Sequence, residues 1–303
     1  MEKKTIVTLS DANYFHLLEE LIYSIRKFKQ SENIDICVLD AGLTSNQIDK
    51  IQSHVNEIKK AQWDIEIPFY KKGKEWLKSQ ISRAFIPKYF PNYDKYLWID
   101  CDAWINSWPC IENYFKACEN NKLGITQSIG PGYRSLAKVN WLFGKFAIIK
   151  TQNYKHAKMS GVSENNARKL AFAPHLNIGV FSLMKNSTCW KVWQDNLSKV
   201  LRKGRIFGSE GLAINMSVYL NKIPTEFLPL NHNWITSHLL PIYDEKNKIF
   251  REPNIPYNEI GIMHLAAGIW QNGVDMRVDK NIKINIKTLD GKIIEKSLRN
   301  ITE

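Results

Sequence analysis

The sequence predicts an α/β protein: a mostly parallel sheet with helices on both faces, and a small C-terminal β-hairpin appendage. Three observations predict it. β-branched runs and helical stripes alternate through the first third of the chain, as strands joined by crossover helices do. The apolar run 96–99 carries no charge, as befits a strand of a parallel sheet buried on both faces. Near the end, residues 282–288 and 292–298 alternate around Asp290-Gly291, a hairpin signal.

Residues 4–9 are a short β-branched run and read as the first strand. Ser10-Asp11-Ala12-Asn13-Tyr14 is a turn, after which Leu17, Leu18, Leu21, Ile22, Ile25 and Phe28 recur at helical spacing. Residues 34–39 read as a second strand, closed by Asp40-Ala41-Gly42. Thr44, with Gln47 three residues on, forms a capping box for a second helix whose buried face is Ile48, Ile51, Val55 and Ile58. A third strand is expected at 63–67. Residues 78–89 read as a helix with Arg83 at its middle, leading into the acidic strand.

Beyond that strand, Trp108-Pro109 opens a helix to Cys118, residues 123–128 form a strand and 128–133 a loop. Residues 134–176 resist assignment and are expected to be a variable, partner-facing region. The strand 176–184 is interrupted by Asn177 and Gly179, and glycine inside a strand marks close approach of a ligand or another backbone. Trp190, Trp193, Leu197, Val200 and Leu201 form a helical core stripe. A shorter helix follows Gly208-Ser209-Glu210, with Leu212, Ile214 and Val218 inward. Residues 226–233 read as an edge strand that tolerates Pro229, and 261–268 as an apolar run with His264 in its middle. Without an internal repeat or linker, the economical division is one main domain, 1–278, and a basic tail, 279–303.

Composition narrows the function. At 303 residues and 44% hydrophobic content the chain is long enough for a substantial core. No apolar stretch approaches a transmembrane span, and the N-terminus enters a strand at once, without a secretory signal. Five cysteines with no Cys-x-x-Cys spacing argue against a disulfide framework and a zinc site and fit a cytoplasmic protein. The net charge is +12, and it is uneven. Residues 120–163 hold no Asp or Glu but include Lys122, Arg134, Lys138, Lys145, Lys150, Lys155 and Lys158. A second basic group is Lys199, Arg202, Lys203 and Arg205. Such a surplus suits an anionic lipid surface or a phosphorylated substrate, although solvated surface lysines account for most of it. No nucleic-acid motif occurs, so no nucleic-acid partner is expected. No Gly-x-Gly-x-x-Gly follows the first strand, so a dinucleotide site has no support.

The chemistry concentrates at Asp100-Cys101-Asp102. Two carboxylates at the carboxyl end of a buried strand are costly to desolvate, and a divalent cation there neutralises them. The plainer alternative is that both cap the next turn. Asp11 and Asn13 are turn or capping residues on the same reasoning, Tyr14 could begin a buried helix face, and Arg83 could pair with a nearby carboxylate.

Taken together, Ser10–Tyr14, Val38-Leu39-Asp40-Ala41-Gly42, Arg83, Asp100-Cys101-Asp102, Asn177-Ile178-Gly179-Val180 and His264 occur in a recognisable order. Over residues 5–270 the chain resembles the family 8 glycosyltransferases, retaining enzymes of GT-A fold that include bacterial lipopolysaccharide galactosyl- and glucosyltransferases and glycogenin. The resemblance implies transfer of galactose or glucose from a UDP-sugar to a glycan or lipid-linked acceptor, in bacterial surface polysaccharide or lipopolysaccharide synthesis. It implies that Asp100, Asp102 and His264 ligate Mn²⁺ (or Mg²⁺), while Asp11, Asn13 and Tyr14 hold uracil and ribose. Arg83 would reach the donor sugar or a phosphate, Asn177 and Gly179 would line the sugar pocket, and Gly268 belongs to the terminal donor-binding motif. Glu210 would lie on the acceptor side. Peripheral contact with an anionic membrane is a further expectation.

The chain departs from the family pattern twice. Where relatives carry Asp-Gln-Asp, this chain reads Ser209-Glu210-Gly211, with Gly211 taken as the Gln position. The terminal His-x-x-Gly and Lys-Pro-Trp become His264-Leu265-Ala266-Ala267-Gly268-Ile269-Trp270, with no Lys, for which Lys280 or another base would substitute. Two other readings stay open: a catalytically weakened UDP-sugar-binding protein, and a nucleotide-sugar nucleotidyltransferase, which would want a Gly-rich, Lys-bearing loop after the first strand.

Overall fold

The computed structural model describes residues 2–68, 72–133, 137–271 and 273–301; Arg134 lies outside them. Near-continuous burial along the central strands makes a sheet covered on both faces. It contains β1 (Lys4–Ser10), β2 (Asp35–Asp40), β3 (Glu57–Lys60), β4 (Lys95–Ile99), β6 (Leu123–Gln127), β9 (Leu176–Met184) and β10 (Thr225–Leu228). Their order is β10-β6-β9-β4-β1-β2-β3. β1 pairs in parallel with β2 and β4, β2 with β3, and β10 with β6. β9 runs antiparallel to both β4 and β6.

Successive residues feed opposite layers. Ile6, Ile36, Val38, Leu97 and Ile99 pack with α1 (Phe15–Arg26), α2 (Ser45–Ile51) and α5 (Pro109–Ala117). Val7, Leu39, Tyr96, Trp98 and Phe181 face α3 (Ser79–Ser82), α4 (Ile86–Tyr89), α8 (Cys189–Lys203) and α9 (Ser209–Tyr219). The stripe Trp190, Trp193, Leu197, Val200 and Leu201 is buried throughout, as its spacing predicts.

A smaller sheet orders β11 (Trp234–Ile235), β14 (Ile262–His264) and β5 (Ala103–Ile105). Separate two-stranded pieces are β7 (Ala137–Leu142) with β8 (Phe146–Thr151), β12 (Ile242–Asp244) with β13 (Ile249–Arg251), β15 (Trp270–Gln271) with β16 (Val274–Asp275), and β17 (Ile284–Lys287) with β18 (Ile293–Lys296). The last pair is the hairpin expected around Asp290-Gly291. Its Ile286 and the neighbouring Ile282 and Leu298 enter one apolar cluster with Leu17, Trp104, Trp234 and Phe250. The Trp104 indole N–H donates to the Leu298 carbonyl at 2.8 Å, and Arg299 pairs with Glu20 of α1.

Four local expectations are corrected. The third strand lies at Glu57–Lys60, and residues 63–67 form no strand. Asn56 starts the ladder because its N–H donates to the Ile36 carbonyl while its Oδ1 accepts the Ile36 N–H. Ile58 therefore sits on β3 opposite Val38, α2 stops at Ile51, and Trp63 and Ile65 supply only side-chain packing. The capping box of Thr44 and Gln47 is present. Residues 78–89 are helical in short pieces, with the 3₁₀ turn Arg83–Phe85 between α3 and α4 and Pro87 unable to continue the hydrogen-bond ladder. The edge strand stops at Leu228, because Pro229 donates nothing to a ladder, and a 3₁₀ turn Leu230–His232 follows. The unassigned stretch resolves into β7, β8, α6 (Gln152–Met159) and α7 (Glu164–Ala171).

Leu298 is 0% exposed, so Leu298→Ala is expected to cost about 2–5 kcal/mol in urea unfolding. A change within about 0.5 kcal/mol would mean that the tail adds nothing to the core.

Candidate metal and donor site

The chain runs β1, β2, β3 outward in one direction and then returns to place β4 on the other side of β1. Open α/β sheets form their ligand crevice at such a switch point, outside the carboxyl ends of the strands. A cleft of about 540 Å³ lies there, lined by Asp11, Asn13, Tyr14, Arg83, Asp100 and Asp102, with Arg277 and Ala267 at its rim.

Two further elements complete the cluster. β9, antiparallel to β4, brings its amino-terminal end to the same edge, and the Asp100 N–H donates to the Gly179 carbonyl at 2.8 Å. β14 pairs with β5 so that His264 lies opposite Ala103, and the Leu265 N–H donates to the Asp102 carbonyl. Asp100, Asp102 and His264 thereby place one potential ligand atom each within 4.8 Å of one another. His264 Nε2 is 3.4 Å from Asp102 Oδ1 and 3.9 Å from Asp100 Oδ2. Mixed carboxylate and imidazole donors at this spacing fit Mn²⁺ or another borderline divalent cation. Gly179 makes room for the cluster: a Cβ there would overlap His264 Cε1 and come within 2.9 Å of Asn177 Oδ1 and Asp100 Oδ2.

A short relay orients the imidazole. The Gly179 N–H donates to Asn177 Oδ1 at 2.8 Å, which also accepts the Asn233 amide at 3.2 Å. Asn233 must then present its oxygen to His264 Nδ1, 2.9 Å away, so Nδ1 carries a proton and Nε2 faces the carboxylates. The sequence reading missed Asn233, which has no local signal.

Asp100 is held from behind. Its Oδ1 accepts from Arg83 at 2.9 Å and from the Trp98 indole at 2.7 Å, leaving Oδ2 toward His264. The Arg83 guanidinium lies over the Trp98 ring at 4.8 Å, donates to the Ile178 carbonyl and meets Glu210 Oε1 at 3.3 Å. Glu210 is therefore behind the cleft, in the first turn of α9, and Gly211 approaches His175 instead. Arg277, also missed, pairs with Asp102 at 3.3 Å and with Asp275 at 2.7 Å, and lies over the Tyr14 ring. Lys280 does not line the cleft. Gly268 takes a left-handed conformation beside Asp275, whose carboxylate oxygens would meet a Cβ at 2.5 Å. Asp11 Oδ1 accepts the N–H groups of Asn13 and Tyr14, both at 3.1 Å, so this carboxylate shapes the turn as well as lining the cleft.

These surroundings set the two carboxyls apart. Burial raises the Asp100 pKa, and the neighbouring Asp102 charge adds to this against Arg83. Burial acts the same way on Asp102, but the His264 hydrogen bond and the Arg277 charge outweigh it and hold the group at about 2. His264 is pushed down by burial and more strongly up by Asp102 and Asp100, for a net rise. Burial pushes Glu210 up to about 8, with Arg83 opposing.

Residues 5–121 match the family described as glycosyl transferase family 8. No curated protein matches the sequence. Among solved structures, the bifunctional glycosyltransferase WbbM superposes with a TM-score of 0.55 at 18% identity, over 91% of this chain and 48% of its own. The present chain thus spans about half the length of WbbM. The galactosyltransferase LgtC, in complex with donor and acceptor sugar analogues, gives a TM-score of 0.52 at 13% identity, over 87% of each chain. The glycosyltransferase GlyE of Streptococcus pneumoniae TIGR4 gives 0.50 at 15% identity, over 90% of this chain and 56% of its own. At these identities the likeness is one of fold.

Gly179→Ala is expected to lose Mn²⁺ affinity by at least about tenfold, since imidazole or carboxylate must move; titration calorimetry reads this, and unchanged affinity would remove Gly179 from the site. A cation at His264 Nε2 must displace any proton there. Because His264 is raised above its usual 6.5, Mn²⁺ affinity should already be falling as the pH drops toward 6.5, with release of up to about one proton. Calorimetry in buffers of different ionisation enthalpy counts it, and a count of zero throughout that range would show an already neutral imidazole.

Proposed function

We propose, for a chain whose residues 5–121 match glycosyl transferase family 8 and which is built on the GT-A fold, that it is a retaining hexosyltransferase. It moves galactose or glucose from a UDP-sugar to a glycan or lipid-linked saccharide. The observation that carries the reading is the Asp100, Asp102 and His264 cluster, packed against Gly179 and reaching a cleft of about 540 Å³ through Asp100 and Asp102. Mn²⁺ (or Mg²⁺) held by these three residues would supply Lewis-acid neutralisation of the leaving diphosphate.

The rest of the chemistry belongs to the chain. Asp11, Asn13 and Tyr14 would hold uracil and ribose over the end of β1. Arg277, anchored on Asp275 with its Nη1 toward Asp102 and the cleft, would supply the cation that the missing terminal Lys would provide. Arg83 locks Asp100 and reaches Glu210, while Asn177 and Gly179 line the sugar side. No carboxylate other than Glu210 stands out as a covalent nucleophile, and it is engaged with Arg83, which favours same-face displacement with the leaving phosphate accepting the acceptor's proton. Glu210, buried against Arg83 and Gln80 behind the cleft, serves in this reading as a positioning residue for Arg83, and the expected role in orienting the acceptor hydroxyl would be exerted through that arginine. No helix among the described residues is long and apolar enough to cross a membrane.

A thermal-shift titration with UDP, with and without Mn²⁺, on wild type and Asp102→Asn tests the donor half. At a hundredfold excess over Kd, UDP should stabilise the wild type by about 2.7 kcal/mol. The effect should require Mn²⁺ and vanish in the variant. No shift under any metal condition would sink the nucleotide-sugar reading, and UDP-sugar turnover separates transfer from binding alone.

A further inference from the structure

The hairpin of β7 and β8 stands apart from every packed layer. Residues 138–149 are all exposed, and none of them enters a core cluster. Its register pairs Lys138 with Lys150, Val139 with Ile149, Asn140 with Ile148, Trp141 with Ala147 and Leu142 with Phe146. Side chains alternate across a hairpin, so Val139, Ile149 and Trp141 occupy one face and Ile148, Leu142 and Phe146 the other. Both faces are apolar toward the tip. There Trp141 is 68%, Phe143 87% and Phe146 68% exposed. Phe143 also has a φ of 51°, a conformation that costs a bulky residue energy.

We infer that this hairpin is a membrane-docking element whose tip enters the interfacial layer of an anionic lipid bilayer. A protein partner would cover one face, whereas a lipid layer surrounds both. The charge pattern agrees: Lys145 flanks the tip, Lys138 and Lys150 sit opposite each other nearer the base, and no acid occurs from 120 to 163. Lys138 and Lys145 make no ion pair among the described residues. A two-stranded ribbon leaves its outer N–H and C=O groups unpaired, which limits entry to the headgroup and upper acyl region, roughly 5–10 Å deep. Trp and Phe favour that depth.

The base of the hairpin gives the docking a use. Ala137 and Thr151 line a second cavity of about 310 Å³, with Ile129, Phe172 and His175, and His175 is the residue that Gly211 approaches beside Glu210. Seating the tip in lipid brings this cavity to headgroup level. The inference thus rests on the lipid-linked acceptor reading for its purpose, but its test omits donor and metal, so the two fail separately.

The full chain is floated with vesicles of phosphatidylcholine containing roughly 30% phosphatidylglycerol, alongside the triple variant Trp141→Ser, Phe143→Ser, Phe146→Ser and the double variant Lys138→Gln, Lys145→Gln. The wild type should bind, the triple variant should lose at least about tenfold in partitioning, and the double variant should lose most of its dependence on anionic lipid. Melting temperatures should match the wild type, because these side chains are exposed. Absence of wild-type binding, or equal binding by the triple variant, overturns the inference. So does a wild-type dimer that the triple variant converts to monomer while vesicles are ignored, since the tip would then serve a second copy of the chain.

Discussion

Two carboxylates at the end of a fully buried strand are the constraint around which the site is arranged. Asp100 and Asp102 close β4, every residue of which is buried. Water cannot solvate both groups fully, so the protein supplies cations from three directions: Arg83 from the helical stretch before β4, His264 from β14, and Arg277 from the segment after β16. Each comes from a different part of the chain, and each reaches the edge because a backbone pairing delivers it. The antiparallel course of β9 is part of the same solution, since it turns Asn177 and Gly179 toward the carboxyl end of β4. In a wholly parallel sheet that strand would present its amino-terminal end to the opposite edge.

The parts of this arrangement legible in sequence are those with local periodicity or local chemistry. The buried run 96–99, the Asp-x-Asp after it, and a glycine inside a strand each carry a physical signature, and the structure brings all three together. The glycine at 179 was readable as a close approach, although not as an approach to His264. Trp98 could have been found, because it lies two residues before Asp100 and strand periodicity puts both on one face. Asn233 and Arg277 could not. Their roles depend on the pairing of β11 with β14 and on the turn after β16, and neither leaves a mark within its own stretch of sequence.

Elsewhere the sequence misled for equally local reasons. Ile48, Ile51, Val55 and Ile58 keep helical spacing, yet the ladder that Asn56 begins with Ile36 stabilises an edge strand after only two turns of helix. The hairpin of β7 and β8 defeats periodicity differently: both faces are apolar near its tip, so the alternation that normally separates core from solvent is missing. In residues 138–149 the absence of that pattern is the signal, because a segment without a buried face belongs to no layer of the fold, whereas α6 and α7 bury Ala157, Ala167 and Leu170 against Leu212 and Met216.

Arg83 links the metal side of the site to its other half. One guanidinium serves both Asp100 and Glu210, and the same neighbours bear on their protonation: burial raises both, Arg83 lowers both, and the Asp100 charge raises Glu210 further. Any cation that neutralises Asp100 removes a repulsion from Glu210 and leaves Arg83 less divided between the two. The Glu210 carboxyl, near 8 in the metal-free protein, must then give up its proton more readily. Its hydrogen-bonding character, donor when protonated and acceptor when not, consequently depends on what occupies the Asp100 and Asp102 cluster. A buried arginine with two carboxylate partners is thus enough to couple the cleft to the carboxyl behind it without movement of the backbone.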